Sequence, residues 1–167
     1  ENYLQKGFIS EAILNYVALL GWHPSSNNEI FSLKKLEKEF SLKRIQKSGA
    51  VFDIEKLIWI NSQYIKNMDV NTIADLSRPW FNKAGIDISN NSKFLSVIEH
   101  SKKRINIISE IVEHSLPFYC DLKLKNEKKI ILKENSSQII FKFILDRIVS
   151  ASKLNENYFK TLLNDTI

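Results

Sequence analysis

The sequence predicts an all-α protein, on three observations. Apolar side chains make up 44% of the 167 residues, enough for a packed core. They recur mostly at spacings of three and four, the period of a helix buried on one side. Only four glycines and three prolines interrupt them. Ser, Asp or Asn precedes most of the apolar runs, where a side-chain oxygen can accept from a free N–H of the first helical turn.

The elements follow in order. Residues 1–7 are a lead-in. Ser10 is expected to cap a helix reaching Leu20 and buried through Ile13, Tyr16, Val17 and Leu20. Gly21 is placed to end it in a left-handed turn, and Pro24 blocks its continuation. Residues 23–29 form a polar loop. Ser32 starts a short helix on Leu33, Leu36 and Phe40, and Ser41 starts another over residues 42–47. Lys34, Lys35, Lys38, Lys43, Arg44 and Lys47 crowd these two segments, partly offset by Glu37 and Glu39. That composition suits either a solvated mixed-charge face or one turned toward phosphates.

Gly49 ends this region through its backbone freedom. Asp53 then caps a central helix buried through Leu57, Ile60 and Tyr64. Lys56, Trp59, Gln63 and Lys66 fall on another side. That side is cationic, aromatic and amide-bearing, which suits a nucleic-acid backbone. An ordinary amphipathic helix with its Trp in a seam has the same pattern. Asn71 is expected to cap the next helix, through Ile73, Leu76 and Trp80, with Pro79 kinking or shortening it and Gly85 closing it. A long helix over 93–114 buries Leu95, Ile98, Ile105, Ile108 and Val112, exposes Lys102, Lys103 and Arg104 near its middle, and ends at Pro117. Residues 121–133 fit a hairpin or a helix. Ser136 or Ser137 begins a helix on Ile140, Phe143, Ile144 and Ile148. Asn155 caps the last one, on Tyr158, Phe159, Leu162 and Leu163.

The net charge of +5 is a moderate basic bias compatible with RNA. The single cysteine, Cys120, leaves no internal disulfide. It fits a reducing compartment and a partly buried filler better than a nucleophile. There is no run of about 18 apolar residues to span a membrane, and no signal-peptide pattern. The chain opens mid-pattern without Met, as a piece of a longer protein would. His23, His100 and His114 lie far apart, without Cys or carboxylate partners at ligand spacing, so no metal site is assigned. No Gly-rich phosphate loop occurs. Glu11 and Asp53 suit helix starts, where a carboxylate meets the helix dipole. No residue is assigned a catalytic role, and no cofactor is expected on this stretch.

Two motifs point further. The first is Gly7-Phe8-Ile9-Ser10-Glu11-Ala12-Ile13-Leu14-Asn15-Tyr16 with Leu19-Leu20-Gly21-Trp22. The second is Gly49-Ala50-Val51-Phe52-Asp53-Ile54-Glu55-Lys56-Leu57, leading into Trp59-Ile60-Asn61 and Tyr64-Ile65. In this order and spacing they resemble the segment after the catalytic core of bacterial class I glutamyl-tRNA synthetases, over roughly the first 70 residues. The Gly-Ala-Val-Phe-Asp and Trp-x-Asn runs favour that family over the class I lysyl-tRNA synthetases.

The resemblance implies a bundle-like connector (stem-contact) domain over 1–69. A first helical anticodon-binding subdomain over 70–115 and a second, incomplete one over 116–167 would follow, and it favours a helix at 121–133. It implies a monomeric cytoplasmic ligase that joins glutamate to tRNA(Glu) with ATP and magnesium. This stretch would lack the catalytic half with its His-x-x-His-like and Lys-x-Ser-Lys-like motifs, and would be inactive alone. It would also lack a final segment that completes the anticodon pocket. Lys56, Trp59 and Lys66 would face the inner side of the tRNA, and Asn61 would position its helix or contact a ribose. Arg104 would read the third anticodon base, leaning to the type that charges only tRNA(Glu), with Lys102 and Lys103 on phosphates. The alternatives are a helical protein-binding scaffold, which calls for an exposed apolar stripe, and the helical region of a lysyl enzyme.

Overall fold

The computed structural model describes residues 2–47, 49–120, 133, 135–151 and 154–164. Packing divides the chain into two compact units, residues 1–121 and 122–167. The described secondary structure is helical, as the apolar spacing predicts, apart from an isolated antiparallel bridge between Trp22 and Ile45.

Among the described residues the larger unit holds six α-helices: α1 (Ser10–Gly21), α2 (Leu33–Glu39), α3 (Ile54–Asn67), α4 (Val70–Lys83), α5 (Asn91–Ser101) and α6 (Ile111–Ser115). Short 3₁₀ turns lie between them. Several starts are set by side chains visible in the sequence. Ser32 accepts from the Lys35 N–H, Asp53 from Lys56 and Asn90 from Lys93, each satisfying a donor that the helix cannot. Asp69 caps α4 where Asn71 was expected. Its carboxylate accepts from the N–H groups of Asn71 and Thr72, and the Asn71 N–H first of all holds its pKa below the usual carboxylate range. Pro79 lies inside α4, which continues to Lys83. The helix closes with Gly85 at φ 68°.

One apolar core runs through this unit. It joins Ala12 and Tyr16 of α1, Leu57, Ile60 and Ile65 of α3, Ile73 and Phe81 of α4, Phe94 and Ile98 of α5, and Ile105, Ile108 and Ile111 beyond. The core crosses residue 69 without a break, so the boundary expected there is not a division in packing. A smaller cluster of Trp22, Phe31 and Leu36 sits under the loop and α2.

Three expectations are corrected. The buried face of α1 is Ala12, Asn15 and Tyr16, while Val17 is 55% exposed. Gly21 and Gly49 have no left-handed backbone. Among the described residues only Gly7 and Gly85 have positive φ. The chain leaves α1 extended because Gly21 and His23 pair with Gln46 and Arg44. Cys120 is exposed.

The long helix over 93–114 is also corrected. The helix α5 ends at Ser101, a 3₁₀ turn covers Lys102–Arg104, and Ile105 is extended at φ −109° and ψ 150°. A second 3₁₀ turn, Ile108–Glu110, leads into α6. The Ser101 and Ser115 hydroxyls lie 3.2 Å apart in the core. In one straight helix fourteen residues would separate them by about 21 Å. Folding back is what lets Ile105, Ile108 and Ile111 all reach full or nearly full burial.

In the smaller unit, α7 (Asn135–Ser150) and α8 (Glu156–Asn164) are joined by a hydrogen bond from the Tyr158 hydroxyl to the Arg147 carbonyl. Asn155 caps α8 by accepting from the Tyr158 N–H. Residues 121–132 lie outside the described residues, so the choice there between hairpin and helix does too.

Gly7 has φ 93°, and a Cβ there would sit 2.7 Å from the Ser109 backbone nitrogen. Gly7→Ala is therefore expected to cost about 1–3 kcal/mol, read as a lower urea midpoint with unchanged slope. An unchanged midpoint would show that the segment yields without cost.

Candidate nucleic-acid interface

The helix α3 is held in place by polar groups on its buried side. Asn61 is fully buried. Its Oδ1 accepts from the Ile9 N–H at 2.8 Å, and its Nδ2 donates to the Asn106 carbonyl at 2.5 Å. Both ends of the amide are spent on backbone, so of the two roles expected for Asn61 the positioning one has a geometry and the ribose contact has none. Tyr64 donates to the Phe31 carbonyl and lies 3.0 Å from Asn15 Oδ1. Asn15 accepts from the Phe31 N–H at 2.7 Å and donates to the Glu29 carbonyl at 2.9 Å. Two side chains on different helices thus fasten the end of the 23–31 loop. Tyr16 helps at the other end of α3, where its hydroxyl oxygen accepts from the Asp53 N–H at 2.6 Å.

The outer side of α3 presents Trp59, 44% exposed, with Gln63 partly exposed and Lys66 exposed. The 3₁₀ turn Lys102–Arg104 packs against this helix, and Lys103 and Arg104 are exposed. Among the described residues Lys66, Lys103 and Arg104 form no ion pair. The structure therefore brings two separate sequence clusters, 59–66 and 103–104, onto adjoining elements.

Two of the expected cations have ion partners. Lys56 points its ammonium at Glu29, 2.5 Å away. Lys102 has a side chain only 12% exposed, with its ammonium 3.1 Å from Glu99 and 3.4 Å from the Met68 carbonyl. Lys56 thus reaches across to the loop before α2, and Lys102 reaches the end of α3. Further along, Lys35 pairs with Glu39, and Arg44 bonds the Glu39 carbonyl and lies over the Trp22 ring. That leaves Lys34, Lys38, Lys43 and Lys47 exposed and unpaired among the described residues on α2 and the turn after it. Among the described residues no group of three or more His, Cys, Asp or Glu is placed to hold a metal ion. No described helix is long and apolar enough to cross a membrane.

The model for the family described as "tRNA synthetases class I (E and Q), catalytic domain" matches residues 1–59. Over 98% of its length the chain is 35% identical to the glutamate–tRNA ligase of Carboxydothermus hydrogenoformans and 34% identical to that of Alkaliphilus metalliredigens. A crystal structure of the Elizabethkingia meningosepticum glutamate–tRNA ligase, in complex with its amino acid, superposes with a TM-score of 0.81 at 25% identity, over 99% of this chain and 33% of that one. The structure of the Elizabethkingia anophelis enzyme gives 0.77 at 27% identity, over 99% of this chain and 32% of that one.

The chain belongs to the glutamate–tRNA ligase family. It spans 35% of the length of the two relatives named first. The match to the catalytic-domain model reaches Trp59, so in this ligase family chain the stretch expected to follow the catalytic core begins within the span of that model. Two features of the site escaped sequence reading. The ion partner of Lys56 lies in a distant loop, and Asn15 gave no sign of its loop partners beyond its place in a motif.

Tyr64 offers a check on the loop clamp. Burial, with the Glu11 charge as a smaller cause, raises its pKa to about 12, against an ordinary value near 10. The folded form thus holds this proton more tightly than the unfolded chain. Its stabilising contribution is complete below about pH 10 and is lost as the pH rises toward 12. Urea midpoints are expected to fall over that window in the parent and less steeply in Tyr64→Phe. Equal slopes would remove Tyr64 from the clamp.

Proposed function

We propose that this chain is the tRNA-holding part, next to the catalytic core, of an enzyme that joins glutamate to tRNA(Glu) using ATP and magnesium. The observation that carries it is that α3, with Trp59 and Lys66 exposed, packs against the Lys102–Arg104 turn, where Lys103 and Arg104 are exposed. There a Trp ring and three cations without ion partners among the described residues lie on neighbouring elements. A flat aromatic face can stack on a base or ribose, and guanidinium can meet a base edge with a planar fork. Lys66 and Lys103 supply point charges for phosphates. Lys34, Lys38, Lys43 and Lys47 form a second cationic stretch suited to the same backbone. In this reading Arg104 reads an anticodon base, while Lys56 and Lys102 act as braces.

The test is a titration of the chain with tRNA(Glu), a variant altered in the third anticodon base, and an unrelated tRNA, across a salt series. Binding should weaken with salt, with a log–log slope of about 0.7–0.9 for each phosphate neutralised. Trp59→Ala should weaken all three tRNAs alike. Arg104→Ala should erase the preference for the native anticodon. Binding that ignores salt would refute the cationic surface.

A second surface bears on the catalytic half as a partner. In α1 Glu11 is the only charged residue, and Leu14 and Val17 are largely exposed on its outer side. Val51 and Phe52 are exposed nearby in sequence to α3. A helix apolar on most of its circumference is normally covered. These residues all fall within the stretch matched by the catalytic-domain model, which favours the preceding part of the same enzyme as the cover over an unrelated protein. Val17→Lys should weaken binding to the separately produced catalytic half of the Carboxydothermus enzyme about tenfold, the equivalent of one Val left unburied, without lowering the melting temperature. Undiminished binding would leave the α1 face without this partner.

A further inference from the structure

We infer that Asn61 is a positioning residue that sets the Arg104 segment against the strap before α1, so that anticodon discrimination depends on a buried amide that touches no RNA. The inference rests on the assignment of Arg104 proposed above.

The geometry is a three-way junction. The Asn61 amide accepts from Ile9 and donates to Asn106, two residues beyond Arg104. A backbone bond runs beside it from the Ile108 N–H to the Gly7 carbonyl at 3.0 Å. Gly7 itself lies so close to Ser109 that a Cβ would collide with its nitrogen. From the other side Glu110 Oε2 accepts from the Asn106 N–H at 2.7 Å and from Ile107 at 3.3 Å. Ile105, between Arg104 and Asn106, is fully buried. The backbone that follows Arg104 is thus pinned on both sides within three residues. The strap it is pinned to, residues 7–9, lies inside the span of the catalytic-domain model. Apolar packing alone is non-directional and would allow the turn to slide or rotate. A buried amide with a definite donor end and acceptor end does not.

Asn61→Asp tests this because a carboxylate can still accept from Ile9 but cannot donate to Asn106. It places an acceptor against a carbonyl and releases the turn. Glu110→Ala loosens the same loop from its partly exposed side and serves where Asn61→Asp fails to fold. Each would be titrated with tRNA(Glu) and the third-base variant, alone and combined with Arg104→Ala. The expected result is a discrimination lowered about fivefold, the worth of one net hydrogen bond, with the salt slope unchanged. The double variants should discriminate no worse than Arg104→Ala alone, since both changes act through one residue. A purely structural role would lower the melting temperature and leave the ratio between the two tRNAs intact, and that outcome overturns the inference while Arg104 keeps its assignment. If Arg104→Ala itself leaves the ratio unchanged, the assignment of Arg104 fails and the inference falls with it.

Discussion

The amide of Asn61 is bonded at both ends to backbone, and the larger unit is arranged around those two bonds. Ile9 stands at the entry to α1 and Asn106 at the turn between α5 and α6, so one side chain on α3 fixes where three segments meet. An amide left half-bonded in this core would cost about 1–3 kcal/mol, which makes other registers of α3 against its neighbours unfavourable. The apolar side chains around it supply most of the stabilisation, but they would tolerate small rotations that the amide does not. The positive φ of Gly7 belongs to the same junction, because the strap passes Ser109 too closely for any side chain.

Helix starts were legible because their signals are local. Ser32, Asp53 and Asn155 each bond an N–H three residues on, a distance within sequence reading. Asn71 was the expected cap of α4, but the Asp69 carboxylate, two residues earlier, took the free donors. The break after Ser101 was not legible. Its cause is a buried amide 45 residues away and a core that rewards folding back. The run Ile105-Asn106-Ile107-Ile108 held the only local hint, since β-branched residues favour helix weakly. Gly21 misled for a similar reason. A glycine after an apolar run suggests a left-handed cap, but the pairing of Trp22 with Ile45 draws the chain out straight.

The net charge of +5 carries less information than the placement of the charges. Lys56 and Lys102 looked like surface cations because the sequence places them beside Trp59 and Arg104. The folded chain uses them as braces, one across to Glu29 in the loop and one over the Met68 carbonyl at the end of α3. Trp59 and Lys66 kept the outward position that the helical period assigns them, since nothing else in the described fold competes for them. A charge periodicity locates a face well. It does not say which members of that face are already engaged, because a carboxylate partner from a distant loop leaves no trace in the local pattern.

The absence of a packing break at residue 69 follows from the same junction. If the first helices formed one module and the turn bearing Arg104 another, the strap at 7–9 and the loop at 105–108 would move as parts of separate bodies. Instead they share two backbone-directed bonds through Asn61, a direct bond between Ile108 and Gly7, and one continuous core. Arg104 itself stays on the surface, with only the buried Ile105 between it and the pinned backbone. The exposed guanidinium is therefore supported by rigid backbone on one flank and free on the other. Such an arrangement lets a single residue meet a planar partner with little loss of conformational entropy beyond its own side chain.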